Sequence, residues 1–189
     1  MSIFAVVIHT ETQKKETDMS ALSILYLVLP LPLLFILHDG EEVVVQHRWM
    51  LAHKEPIAAR FPRLRPLLTH LSGLGTKAFA VAALEELLVV LLVTCHVLVG
   101  GAYALQIWSA LFMAFAIHLL VHVVQAIVLR GYVPGVVTSL LLLPYAAFGF
   151  HSIRLVMGPT ELILCTAAGL LALAVNLRLA HWVGMKVCG

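Results

Sequence analysis

The chain has 189 residues, of which 61% are hydrophobic and only 12% charged, too few polar side chains to cover a water-facing globule. This excludes a soluble domain, and the formal net charge of +2 is too small to argue for nucleic acid as a partner. Cys95, Cys165 and Cys188 are widely spaced, so neither a disulfide framework nor a paired-cysteine metal motif is present.

In chain order, residues 1–20 carry no long apolar core ahead of a small-residue cleavage site and read as a retained N-terminal tail. A first apolar run over about 21–46 enters the string HDGEE and is expected to kink at Pro30 and Pro32. Residues 47–72 are basic, are broken by Pro56, Pro62 and Pro66, and carry Trp49 and Phe61, which predicts a loop lying on the membrane surface. Further apolar runs over about 76–99, 102–129, 132–153 and 161–183 approach the ~20 residues needed to cross a bilayer. The turns between them are short and rich in glycine. No repeat or long linker divides the chain. The expectation is an all-α membrane protein: one bundle of about five transmembrane helices over residues 21–185, multi-pass in the cell membrane.

Basic residues orient such a chain. One side receives Arg48, Lys54, Arg60, Arg63, Arg65, Lys77, Arg130, Arg178 and Lys186, which is nine, and the other receives Lys14, Lys15 and Arg154, which is three. The N-terminus is therefore expected outside and the C-terminus, with the basic segment, in the cytoplasm.

Carboxylates are the anomaly. Asp39, Glu41, Glu42, Glu85 and Glu86 lie in or beside apolar runs, where an ionised group costs roughly 2.5 to 3.5 kcal/mol even on a lenient insertion scale. At a rise of ~1.5 Å per residue, His38 and Glu41 fall ~10 to 15 Å below Arg48, Glu85 and Glu86 ~12 to 14 Å from Lys77, and His118 and His122 ~12 to 18 Å from Arg130. Three helices thus bring ionisable groups to one level. His38, Glu41 and Glu42 share a stripe by their i, i+3, i+4 spacing, as do His118, His122 and Gln125 at i, i+4, i+7. Glu85 and Glu86 are ~100° apart on their helix, so that one enters the centre while the other leans to a neighbour. Asn176 reaches the same layer and joins Gln125 as a supporting partner of the ligands. His9, His47, His53, His70 and His181 are expected to be solvated, His96 and His151 to pack off the common level, and Asp39 to serve a turn or cap beside Gly40.

Histidines and carboxylates facing each other from separate helices are the ligand supply of bundle-borne metal sites. The expected ligand pool is His38, Glu41, Glu42, Glu85, Glu86, His118 and His122, with Glu41, Glu42 and Glu86 also the candidate catalytic carboxylates. Such a pool suits two divalent ions, iron first, with manganese or zinc as alternatives. Iron would serve oxidation of a hydrophobic, lipid-like substrate, and zinc hydrolysis. Arg60, Arg63 and Arg65 are candidates for holding an anionic headgroup, or for anchoring the segment to membrane lipids. The alternatives are a metal-free Glu/His acid–base isomerase, a proton or metal-ion carrier, and a structural subunit of a homo-oligomer or larger membrane complex.

The string His38-Asp39-Gly40-Glu41-Glu42, at the end of a first hydrophobic run, resembles the signature of the HxxEE-domain integral membrane proteins, a family named for the motif. The resemblance implies a fold and a site location over most of residues 20–185, with no reaction attached. The pair His118 and His122 also resembles one histidine box of the membrane fatty-acid hydroxylases and desaturases, but the HxxHH boxes of that group are missing.

Overall fold

A computed structural model describes residues 25–188. The expected tail over 1–20 and the start of the first apolar run lie outside the described residues. A helical turn over 25–28 stops at Leu29, and α1 begins at Pro30 and runs to Arg60. Pro30 and Pro32 are well placed there, since a proline in the first helical turn gives up an N–H with no helical acceptor. The break frees the Leu27 carbonyl, and the Tyr145 hydroxyl donates to it.

The segment expected as a surface loop is instead helical. α1 continues through Pro56 to Arg60, a 3₁₀ turn covers Pro62–Leu64, and α2 spans Arg65–Gly73. Pro62 and Pro66 sit in the first turns of their helices, so these prolines start helices rather than prevent them. Met50, Ile57, Ala58 and Leu68 form a small apolar cluster that folds α2 back on α1. The remaining helices are α3 (Thr76–Leu98), α4 (Ala104–Leu129), α5 (Val136–Val156) and α6 (Pro159–Cys188), each within a few residues of its expected span.

α3, α4, α5 and α6 are long and apolar enough to cross a membrane. α1 is not among them, because Asp39, Glu41 and Glu42 interrupt its apolar stretch. The described residues therefore hold four candidate spans, and the expected count of about five is not confirmed.

α6 packs along α3 and α4, α4 along α5, and α1 against α2, α3 and α5. Two glycines let α6 approach closely. A Cβ on Gly169 would stand 2.0 Å from the Ala110 carbonyl oxygen of α4, and one on Gly184 would stand 2.1 Å from that of Ala78 on α3. The main core joins Leu31 and Phe35 of α1 to Trp108, Phe112, Phe115 and Leu119 of α4, and to Leu142, Ala146 and Ile153 of α5. It fills one end of the bundle. The site lies between this core and the cap formed by α2.

Candidate metal centre

A helix places residues i and i+4 on one stripe, and the bundle uses that spacing twice. His38 and Glu42 on α1 face His118 and His122 on α4, and one ligand atom from each of the four lies within 4.8 Å of the others. The Nε2 atoms of His118 and His122 are 3.0 Å apart, and the Glu42 carboxylate oxygens lie 3.8 and 3.6 Å from them. The His38 ring crosses both imidazoles edge-on, with centroids 5.1 Å from His118 and 5.0 Å from His122. His38 is fully buried.

The state of His38 follows from its neighbours. Thr138 Oγ1 lies 2.7 Å from Glu41 Oε2 and 3.0 Å from His38 Nδ1. A threonine hydroxyl has one proton. A carboxylate accepts it, so the hydroxyl oxygen is left to accept from His38 Nδ1–H. The other ring nitrogen, Nε2, then carries a lone pair, and it is buried without a hydrogen-bond partner among the described residues. A buried polar atom left unpaired costs about 1 to 3 kcal/mol, which a cation held jointly with His118, His122 and Glu42 would offset. These four residues therefore fit a metal ion.

Glu41 does not join them. Its Oε1 accepts from the Tyr132 hydroxyl at 2.8 Å, and its Oε2 accepts from both the backbone N–H and the hydroxyl of Thr138, at 2.8 and 2.7 Å. Partial burial and the Glu41 carboxylate push the Tyr132 phenol up to about 12. Between Tyr132 and Thr138 the chain turns at Gly135, whose φ of +81° is open chiefly to glycine. A Cβ there would meet His122 Cε1 at 2.9 Å and His38 Cε1 at 3.0 Å. The turn thus packs against two of the four imidazole and carboxylate groups and positions a third residue, Thr138, beside His38.

The other expected site residues are distributed around this centre. Glu85 accepts from Asn176 Nδ2 at 3.1 Å on α6, outside the four-residue group, so Asn176 supports Glu85 rather than a ligand. Glu86, Asp39, Glu42 and His118 line one cavity of about 380 Å³ between α1, α3, α4 and α6. Asp39 is a mid-helix residue, buried and facing that cavity rather than capping a turn. Gln125 is exposed and lines a second, wider cavity of about 950 Å³ toward α2. The arginines stand away from the centre: Arg60 lies over the Phe61 ring at 5.0 Å, Arg65 pairs with Glu55 at 3.2 Å, and Arg63 is exposed. His70 and His181, expected to be solvated, lie 3.2 Å apart where α2 meets α6. Thr138, Tyr132 and Gly135 were not singled out from the sequence. Their only signal is a Gly/Pro-rich turn followed by two hydroxyls in an apolar helix.

A helical membrane bundle that gathers three histidines and a glutamate, buried or half-buried, against one another defines a class of membrane protein with a metal-capable centre. The chain belongs to the HXXEE family, described as proteins of unknown function with an HXXEE motif, which matches residues 29–149, more than half of its length. No curated protein and no solved structure matches it. In this chain the motif's histidine and second glutamate enter the metal-capable group, and its first glutamate holds the Thr138 support.

Proposed function

We propose that the protein is a membrane-embedded metal-dependent enzyme whose ion is held by His38, Glu42, His118 and His122 and whose substrate is hydrophobic. The observation that carries this reading is the orphaned Nε2 of a His38 ring that Thr138 and Glu41 hold beside three further ligand groups. Three imidazoles and a carboxylate suit iron, manganese or zinc. When bound, the ion supplies redox or Lewis-acid chemistry. The rest is the work of this chain: apolar walls line the narrower cavity beside the centre, Thr138 and Glu41 hold the His38 tautomer, and Glu86 stands in that cavity as an acid or base.

Oxidation with iron is the first reading, because the cavity of about 380 Å³ beside the centre is walled mainly by aliphatic and aromatic side chains and so offers hydrocarbon to the ligand group. Hydrolysis with zinc is the second, favoured by the wider cavity, which also touches Glu42, His118 and His122 and gives water an approach. A second ion, with Glu86 among its ligands, belongs to the dinuclear form of the first reading.

Elemental analysis of the purified full-length chain tests the proposal. Near-stoichiometric metal in the wild type, lost in His38→Ala and Glu42→Ala but kept in Glu85→Ala, is the expected result. Wild-type protein that takes up no iron, manganese or zinc would overturn it in favour of metal-free acid–base chemistry.

A further inference from the structure

The cavity beside the metal centre has two unlike ends. Away from the centre its wall is Leu31, Phe35, Val93, Ile107 and Leu111. At the centre it meets Asp39, Glu42 and Glu86, with His118, Asn176 and His181, and no lysine or arginine among the described residues lines it. Asp39 is only 9% exposed. The charged groups nearest to it are Glu42 and Glu86, and no hydrogen bond reaches it from the described residues. Glu42 belongs to the metal centre, which leaves Asp39 and Glu86 as acceptors at the head of an apolar chamber. A buried carboxyl group without a partner either holds a proton or takes a hydrogen bond from a ligand, and in both states it keeps an acceptor oxygen. From the level of Glu42 and His118 to that of Leu31 and Ile107 the chamber runs ~16 Å along the helices.

We infer that this chamber binds a single-chain amphiphile whose head donates hydrogen bonds, an amine or a hydroxyl, to Asp39 and Glu86. The volume of about 380 Å³ is near the lower end of small-molecule pockets, which run from ~300 to ~1,000 Å³, and fits one chain rather than a two-chained lipid. An anionic head would find no lysine or arginine among the described residues lining the chamber, and the arginines expected from the sequence to hold it are engaged elsewhere or line neither cavity. Taking this ligand as the substrate rests on the enzyme reading above, whereas its binding needs only Asp39, Glu86 and the apolar wall.

Photolabelling of the full-length protein in phosphatidylcholine nanodiscs tests the inference, using alkyl amine, alkyl alcohol and alkyl carboxylate probes of equal medium chain length, each with a diazirine on the chain. Amine or alcohol should label α4 residues around Ala110 and Ala114 at least about tenfold more than the carboxylate, the ratio expected for a charge-assisted hydrogen bond. Labelling by the amine alone would identify an ammonium as the head, and labelling by both a neutral donor. The isosteric pair Asp39→Asn with Glu86→Gln should abolish the discrimination. Ala114→Leu, or Ala82→Leu should the first variant not fold, should fill the chamber and remove labelling by every probe. Equal labelling by the three probes, or labelling that persists in a folded, filled variant, would overturn the inference. Metal content measured on the same samples separates the two proposals: discrimination without metal overturns the metal centre alone, and metal without discrimination overturns the chamber ligand alone.

Discussion

Glu41 and Glu42 are neighbours in sequence but serve different structures: Glu42 lies 3.6 Å from His122 on α4, while Glu41 receives the hydroxyl of Thr138 on α5 at 2.7 Å. The ~100° step between adjacent helical residues turns one carboxylate into the ligand group and the other toward the support of His38. A motif of the form HxxEE is what this arrangement requires of one helix: positions i and i+4 for the metal-capable group, and i+3 for the partner that fixes the histidine.

Thr138 is the link most easily tested. Thr138→Val keeps the shape but removes the acceptor for His38 Nδ1–H, and metal affinity should fall about 10- to 100-fold, the usual consequence of losing an outer partner of a ligating histidine. Thr138→Ser should restore most of it. Competition titration against a chelator of known affinity measures both, and a wild-type affinity in the valine variant would remove the Thr138 support from the account.

Gly135→Ala should be far more damaging than its size suggests. Left-handed backbone costs a non-glycine residue roughly 1 to 2 kcal/mol, and the new Cβ would press on the His38 and His122 rings at about 3 Å. The expected outcome is a lowered melting temperature together with weakened metal binding. Gly40→Ala, at a glycine with open space around its Cβ position, is the control that should show neither.

The pH profile of metal affinity has two predicted limbs. Ligation requires an ionised carboxylate and neutral imidazoles, so protons compete with the ion and affinity should decline steeply as pH falls from 8 to 5. On the alkaline side the profile should stay flat to about pH 9. The Tyr132 phenol, raised to about 12, remains a donor to Glu41 there; its contribution is complete below the ordinary phenol value of about 10 and is lost only as pH climbs through the raised value. An affinity independent of pH between 5 and 8 would show that these carboxylate and imidazole groups do not bind the ion.

Membrane topology is open to direct labelling. With α1 entering the bilayer as a fifth span, the nine-to-three division of basic residues puts the segment around Arg63 and the C-terminus in the cytoplasm. Single cysteines placed near Arg63 in a cysteine-free background should react with an impermeant maleimide only after cell lysis. Reaction in intact cells would reverse the orientation.

The helical spans were readable because hydrophobic runs and their glycine-rich breaks are strong local signals, and α3 to α6 follow them closely. The centre was partly readable: the shared depth and helical spacing brought His38, Glu42, His118 and His122 into one pool. Which members meet was not, because depth along a helix says nothing of rotation about it. Glu85 and Glu86 differ only by that rotation, yet one meets Asn176 and the other a cavity. The segment after Arg48 differs for another reason: Pro62 and Pro66 read as breakers until their place in a helical first turn is known, and α1 runs on through Pro56. The Thr138 support depends on a turn bringing α5 against α1, a contact 97 residues apart in sequence that no local pattern reports.

Glu42, Phe79, His118, Leu177 and His181 belong to the walls of both cavities, which makes the centre a partition with an approach on either side. On the enzyme reading proposed above, two reactants would reach the centre by separate cavities and have no need to displace one another. On that reading a ternary complex assembles in either order, and the two routes of inhibition separate: a molecule lodged in the wider cavity should lower the maximal rate without competing for the apolar chamber.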